Sequence, residues 1–172
     1  MPASALPAGA PRRARHALLP ILVVAAVVAS LFAFTPAADA ASRRQQRIVT
    51  GMDVARHQKG DPYRYGAAGP NAFDCSGLIY YSYRRAGFRH VPRTSSAQAH
   101  FMNRIKRSHM RKGDLVFFYS GRAAARNVYH VGVFAGWRHG HRTIVHAPNS
   151  GSHVKRERIW TNHWFPGTLR GL

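Results

Sequence analysis

Apolar residues in the first half of the chain repeat at helical spacing. In residues 48–57 they recur every three or four positions, which predicts an amphipathic helix that Gly60 ends. Residues 75–86 show the same spacing and predict a second helix. Asp74 precedes it as a favourable N-cap and Gly87 follows it as a stop, so both ends of this helix carry their own signal.

Shorter segments connect and extend these helices. Residues 63–71 are rich in glycine, proline and tyrosine and predict an ordered loop before the second helix. Residues 94–102 follow Pro92 and predict a third, shorter helix. The first half of the domain is therefore predicted to be helical, with one structured loop placed just before Cys75.

Beyond residue 112 the apolar period changes to that of a strand. Residues 114–119 form a β-rich run, and residues 128–137 alternate. The alternation places Tyr129, Val131, Val133 and Ala135 on one face of the strand and His130, Gly132 and Phe134 on the other. Two further strands are predicted at 143–147 and 153–159, on either side of a turn at 148–151. Helices followed by strands predict an α+β domain with an antiparallel sheet.

The first forty residues have the layout of a secretory signal peptide. A basic segment precedes an almost wholly apolar stretch, 17–34, and Ala38-Asp39-Ala40 fits a small-residue cleavage site. We expect cleavage after Ala40, a mature chain that begins at Ala41, and a secreted protein located outside the cell or in the cell wall. An uncleaved membrane anchor is the alternative, and the Arg12-Arg13 pair leaves Sec or Tat export open.

The mature chain is strongly basic. Of the 26 Lys and Arg and the 6 Asp and Glu, residues 1–40 hold three and one, which leaves a net charge of about +18 on the other 132 residues. This length suits one domain, predicted at 48–172 after a flexible basic lead-in at 41–47. The charge predicts attraction to polyanions such as anionic wall polymers, unless it only solvates the surface. We expect a monomer with no specific nucleic-acid partner and no stable membrane insertion after signal cleavage.

Cys75 is the candidate nucleophile. An exported chain with a single cysteine forms no internal disulfide, so the usual reason for an extracellular cysteine is missing. The thiol lies at a predicted helix start, where the helix dipole stabilises negative charge, so we expect a lowered pKa and a reactive thiolate. The alternative is a buried structural cysteine.

Two histidines in the strand half are candidate partners of this thiol. A cysteine nucleophile needs a base that removes its proton and a third group that orients the base. His130 lies within a predicted strand beside Gly132, which leaves room for another chain or substrate, and His146 ends the next strand. Adjacent antiparallel strands could place the two imidazoles side by side.

His139 and His141 suggest a metal site, because histidines two residues apart can share a ligand set. No cysteine or carboxylate cluster accompanies them in the sequence, and both fall in an expected surface turn. A basic surface loop is therefore favoured, and we predict no metal and no cofactor.

Four short motifs occur in order along the chain. They are Phe73-Asp74-Cys75-Ser76-Gly77-Leu78, Gly113-Asp114-Leu115-Val116-Phe117-Phe118, His130-Val131-Gly132-Val133-Phe134 and His146-Ala147-Pro148. Together, from about residue 48 to residue 161, the chain resembles the NlpC/P60 family of cell-wall cysteine peptidases. The resemblance implies a papain-like fold, in which a helix that bears the cysteine packs against a small antiparallel sheet. It also implies that Cys75 is the nucleophile, His130 the base and His146 the group that orients the base.

The resemblance further implies supporting residues near the thiol. An aromatic residue borders the family's active site in a Pro-Tyr-x-x-Gly-Gly stretch, which here reads Pro62-Tyr63-Arg64-Tyr65-Gly66-Ala67. Tyr65 is the preferred counterpart and Tyr63 the competing one. Asp74 and Ser76 flank the cysteine, although an N-cap role alone explains Asp74. Arg93 and Ser95 lie in a segment similar to the one that lines the family's substrate groove.

The function that the resemblance implies is a secreted hydrolase that cleaves an amide bond in the peptide stems of peptidoglycan, typically between D-glutamate and a diamino acid. Stem carboxylates suit the basic surface. Three other functions stay open. They are a non-catalytic wall-binding module on the same fold, a polycation that binds nucleic acid or membranes through charge alone, and an amidase or acyltransferase with the same Cys-His-His residues. The intact cysteine and histidines argue against the wall-binding module and the polycation, because neither of these functions needs catalytic residues.

Overall fold

The computed structural model describes residues 36–172, so most of the predicted signal peptide lies outside the described residues. The helices are α1 (Pro36–His57), α2 (Cys75–Arg85) and α3 (Ser95–Phe101). The strands are β1 (Asn103–Arg104), β2 (Leu115–Tyr119), β3 (Val128–Arg138), β4 (His141–His146), β5 (Lys155–Arg158) and β6 (Trp164–Thr168). Residues 39–172 form one compact unit. None of the helices in the described part of the chain has the length and apolar character needed to cross a membrane.

Helix α1 begins earlier than the sequence pattern predicts. It is continuous from Pro36, so the prediction of a flexible lead-in at 41–47 is wrong. Alanine, arginine and glutamine dominate this segment, and all three have high helix propensity. Arg47 then fastens the segment to the rest of the domain, because its Nε donates a 3.0 Å hydrogen bond to the Ala86 carbonyl after α2.

The strands form one antiparallel sheet in the order β1-β6-β2-β3-β4-β5. The predicted α+β fold is therefore confirmed, but the sheet holds two strands, β1 and β6, that the sequence pattern does not predict. Pro166 and Gly167 lie in β6, and both residue types weaken a strand pattern. The strand forms nevertheless because it pairs with β1 on one side and β2 on the other.

The sheet separates two apolar layers. Leu78, Ile79 and Tyr83 of α2 belong to the larger layer, which also contains Val131 and Val133 of β3. The smaller layer consists of Val116, Phe118, Phe134, Ile144 and Trp164. Because successive side chains of a strand point to opposite faces, these two sets alternate along the strands.

A β-bulge interrupts strand β3 close to its start. The β2–β3 register pairs Phe118 with His130 and then Tyr119 with Val128, so Tyr129 is the extra residue. Val128 is buried in the core layer, whereas Tyr129 is 55% exposed. The bulge therefore interrupts the predicted alternation of β3 at Tyr129.

Candidate functional site

Cys75 is the first residue of α2, as the sequence predicts. Asp74 caps the helix, since its Oδ1 accepts a 2.6 Å hydrogen bond from the Gly77 N–H. The Asp74 N–H in turn donates to the Ala67 carbonyl at 2.9 Å, which ties the preceding loop to the helix start. Gly77 makes this approach possible, because a Cβ at that position would overlap the Ala67 carbonyl oxygen.

Arg93 holds the Asp74 carboxylate in a bidentate pair. Its Nη1 lies 3.0 Å from Asp74 Oδ1 and its Nη2 lies 2.7 Å from Oδ2. Burial raises the pKa of Asp74, but the hydrogen bonds from Arg93 and the Gly77 N–H outweigh it, and the pKa falls below its ordinary value. The Ser76 hydroxyl joins the network, 3.1 Å from Arg93 Nη1. These three side chains therefore brace the helix start that presents the thiol.

The two predicted histidines are in direct contact. His130 on β3 and His146 at the end of β4 are 6% and 1% exposed, and His130 Nε2 lies 2.8 Å from His146 Nδ1. Gly132 permits this approach, because a Cβ there would lie 3.2 Å from His146 Cβ and 2.8 Å from Ile144 Cδ1. The room that the sequence predicts beside Gly132 is thus filled by the neighbouring strand.

Aromatic rings enclose the histidine pair. The Phe118 and His130 ring centroids lie 5.6 Å apart, and Trp160 stacks on Phe118 at 4.5 Å. The Trp160 ring also lies 5.4 Å from that of His146. Trp160 was not predicted as a site residue, because its place depends on how the chain folds back after β5 and no local motif signals it.

Burial decides how these groups ionise. It lowers the pKa of His130 to about 3, with the charge of His146 adding to the effect, and it lowers the pKa of His146 to about 4. It raises the pKa of the Cys75 thiol, and backbone N–H groups of Val131 and Ser76 oppose that rise. The expectation of a lowered thiol pKa is therefore wrong for the ligand-free site, where thiol and imidazoles are neutral at pH 7.

Two clefts meet at the thiol. The histidine cleft, about 400 Å³, is lined by Tyr63, Cys75, Tyr129, His130, His146, Pro148, Asn149, Lys155, Glu157 and Trp160. The arginine cleft, about 390 Å³, is lined by Tyr63, Tyr65, Gly66, Asp74, Cys75, Ser76, Arg93, Thr94 and Tyr129. Both clefts share Tyr63, Cys75 and Tyr129. An extended ligand can therefore pass the thiol with one part in each cleft.

Most of the predicted supporting residues line the arginine cleft, but the structure differs from the prediction at two of them. Tyr65 is 89% exposed and lines this cleft alone, whereas Tyr63 lines both clefts, so the competing candidate Tyr63 borders the thiol on both sides. Ser95 lines neither cleft, and its neighbour Thr94 does so instead. Tyr129 was missed because only the bulge brings it to the site.

No group of three or more His, Cys, Asp and Glu side chains comes together in residues 36–172 in a way that could hold a metal ion. His139 lies in the short turn between β3 and β4, and His141 begins β4. Both are exposed, as the favoured interpretation of this segment as a surface loop requires.

The NlpC/P60 family profile matches residues 60–171. The chain belongs to this family. A probable endopeptidase of Corynebacterium glutamicum is 43% identical over 135 residues, which cover 78% of this chain and 57% of that protein. The murein DD-endopeptidase MepH of Escherichia coli is 34% identical over 149 residues, which cover 77% of this chain and 52% of that protein.

Solved NlpC/P60 structures share the fold. The P60 domain of the M. avium subspecies paratuberculosis antigen MAP1204 superposes with a TM-score of 0.62 at 25% identity, covering 74% of this chain and 98% of that domain. The family resemblance and the fold that it implies are therefore confirmed. The chain spans about half the length of the curated relatives that it matches.

The buried histidines of this NlpC/P60 domain should destabilise it in mild acid. An imidazole in the unfolded chain has a pKa of about 6.5, well above the values of about 3 for His130 and about 4 for His146 in the fold. As the pH falls below 6.5, the unfolded chain therefore binds more protons than the folded one. We expect the free energy of unfolding in urea to decrease by about 4 kcal/mol from pH 7 to pH 5, with about half of the decrease from each histidine.

A histidine substitution supplies the control for this pH dependence. His146→Gln should flatten the decrease, whereas His141→Gln, at an exposed position, should leave it unchanged. Equal pH dependence in both variants would show that the buried pair is not its source.

Proposed function

We propose that the chain is a cysteine endopeptidase that hydrolyses an amide bond in the peptide stems of peptidoglycan. The observation that carries this proposal is the position of Cys75, which lies where the two clefts meet, with the His130–His146 pair lining one of them. A peptide lying across both clefts presents residues on each side of the bond to be cut, as an endopeptidase requires. The names of its relatives support the same activity.

The chemistry assigned to these residues is acyl transfer through a thioester. The Cys75 sulfur attacks the carbonyl carbon while His130 takes the thiol proton, and His130 then gives this proton to the departing amine. Water next attacks the thioester, with His130 accepting its proton, and the Cys75 thiol is regenerated as the carboxylic acid product leaves. His146 holds the His130 ring and shares the positive charge that forms on it.

Cationic groups at the clefts suit a carboxylate-rich peptide. Lys155 lines the histidine cleft with half of its side chain exposed, and the domain as a whole is strongly basic. We propose stem peptides of peptidoglycan as the substrate, with anionic wall polymers as a further partner of the basic surface. Export through the predicted signal peptide, with cleavage after Ala40, would bring the enzyme to this substrate.

Two bonds are candidates for cleavage. The family resemblance favours the bond between D-glutamate and the diamino acid, and we propose this bond. The relative named murein DD-endopeptidase favours a bond between two D-residues in a cross-link instead. The two cuts leave different ends on the fragments, so the products separate the alternatives.

Digestion of purified peptidoglycan tests the proposal. We expect the protein with residues 41–172 to release soluble fragments in which the stem ends at a new free carboxyl group on D-glutamate, identified by mass spectrometry. Protein pretreated with iodoacetamide should release none, because alkylation blocks the only thiol. Binding to the polymer without any new fragment would favour the non-catalytic module, and products joined to an added amine would favour an acyltransferase.

A further inference from the structure

His146 has a second, unexplained neighbour. Its Nδ1 contacts His130, but the other ring nitrogen, Nε2, is buried without a hydrogen-bond partner among the described residues and lies 3.4 Å from Glu157 Oε2. The β4–β5 register pairs Ile144 with Glu157 and His146 with Lys155, which puts Glu157 diagonally across from His146 on the same face. The carboxylate therefore reaches the histidine pair from the strand beyond it.

We infer that Glu157 is a positioning residue, which selects the tautomer of His146 and thereby leaves His130 Nδ1 unprotonated as the base. The inference rests on the proposed function and extends the Cys-His-His set by a fourth group. Neither the four motifs of the chain nor its resemblance to the family points to Glu157.

The number of protons on the two rings limits which tautomers the histidine pair can adopt. A neutral imidazole carries one N–H, so the 2.8 Å contact between His130 Nε2 and His146 Nδ1 needs its proton on one of the two rings. If His146 carries the proton on Nδ1, its bare Nε2 faces a carboxylate oxygen, and two acceptors confront each other in a buried place. If His146 carries it on Nε2, that N–H points at Glu157, and Nδ1 accepts from His130.

The second arrangement fixes the state of His130. Its proton then lies on Nε2, in the bond to His146, and its Nδ1 holds a free lone pair that can accept the Cys75 proton. The first arrangement would put that proton on Nδ1 and leave no base. Glu157 therefore influences the protonation of His130 through its contact with His146.

Charges around His146 support this role. Three titratable groups face the ring, namely His130 from β3 and Lys155 and Glu157 from β5, while Trp160 covers it without charge. Lys155 Nζ lies 2.6 Å from Glu157 Oε2. Burial raises the pKa of Glu157, but the neighbouring Lys155 and His146 outweigh this effect and lower the pKa, so the carboxylate is ionised at neutral pH. An ionised Glu157 also stabilises the imidazolium that forms when His130 takes the thiol proton.

The first test reads the tautomer itself and needs no turnover. In the full domain with ¹⁵N-labelled histidine, we expect His146 Nε2 to have the shift of a protonated ring nitrogen and Nδ1 that of an acceptor. Glu157→Gln should give a mixture of both tautomers, and Glu157→Asp should restore most of the original one. A wild-type His146 protonated on Nδ1 would overturn the inference, whatever the protein hydrolyses.

The second test reads the consequence for catalysis. Glu157→Gln should lower kcat about 10- to 100-fold at nearly constant KM, with Glu157→Asp intermediate. Asp53→Asn is the matched control, because it removes the carboxylate of another ion pair, Asp53–Arg56, on the exposed side of α1. Wild-type kcat in Glu157→Gln, or an equal loss in Asp53→Asn, would overturn the role. If neither the wild type nor any variant hydrolyses peptidoglycan, but the tautomer of His146 is the expected one, only the proposed function is overturned.

Discussion

Alanine at position 75 or 130 is expected to reduce turnover of a soluble peptidoglycan fragment to near background, a loss of about 10⁴-fold or more. In the proposed mechanism, Cys75→Ala removes the atom that forms the thioester, and His130→Ala removes the group that takes and returns its proton. The two losses should not add in the double variant, because either residue is useless in this reaction without the other.

Substitutions of His146 should give a graded result. The role that we propose for it is to hold the His130 ring through the 2.8 Å contact and to stabilise the charge that forms there, so a side chain that still accepts a hydrogen bond should retain part of the effect. We expect turnover to fall in the order wild type, His146→Asn or His146→Gln, His146→Ala, and His130→Ala. Initial rates on one soluble fragment measure the series.

Two exposed histidines are the controls for this series. His153→Ala and His163→Ala should keep wild-type turnover, and circular dichroism checks that every variant is folded. Full activity in His146→Ala combined with loss of activity in His153→Ala or His163→Ala would show that the third group is assigned to the wrong histidine.

The part of the site carried by α2 could be predicted from the sequence because its signals are local. Asp74 as N-cap, Cys75 as first residue and the stop before Gly87 are properties of neighbouring residues, and the structure contains them as predicted. Helix α1 shows the limit of the same approach. Its weakly apolar first half gave no amphipathic pattern, although its composition favours a helix.

The residues that the sequence did not reveal are those brought in by strand register. Tyr129 reaches the clefts because of a one-residue bulge, and Glu157 reaches His146 because β5 pairs with β4 in one register and not in the next. A shift by one residue would turn Glu157 to the other face of the sheet. Such pairings depend on contacts across the sheet, which no local pattern contains.

The pKa of the Cys75 thiol also depends on one local effect, which the sequence indicates, and on one effect of the whole fold, which it does not. Position at a helix start correctly identifies a place where negative charge is favoured, and backbone N–H groups at the site do lower the pKa of Cys75. Burial acts in the opposite direction and is the larger effect, and it depends on what the rest of the fold places over the helix end. Cys75 is therefore a neutral thiol beside neutral imidazoles, and in the proposed mechanism its proton leaves only as the reaction begins.

Gly77→Ala is the second substitution for which we expect a large effect. Alanine normally stabilises a helix relative to glycine by about 1 kcal/mol. Here its Cβ would overlap the Ala67 carbonyl oxygen, and that carbonyl accepts bonds from the Asp74 N–H at 2.9 Å and from Arg93 Nη2 at 3.2 Å. The loop cannot retreat without breaking both bonds, so the overlap outweighs the gain in propensity. We expect a loss of about 3 kcal/mol in the free energy of unfolding.

The consequence for function should be as large as that for stability. Moving Ala67 disturbs the Asp74–Arg93 pair that braces the helix start, so the thiol shifts and turnover falls even in the folded fraction. Urea unfolding measures the first effect, and initial rates at low temperature, where the variant is folded, measure the second. Gly121→Ala is the control, because its Cβ would meet nothing within 4 Å and only its φ of +67° opposes the change, at about 1 to 2 kcal/mol. A Gly77→Ala protein more stable than wild type would show that the loop does not press on α2, and the bracing of the thiol would then need another source.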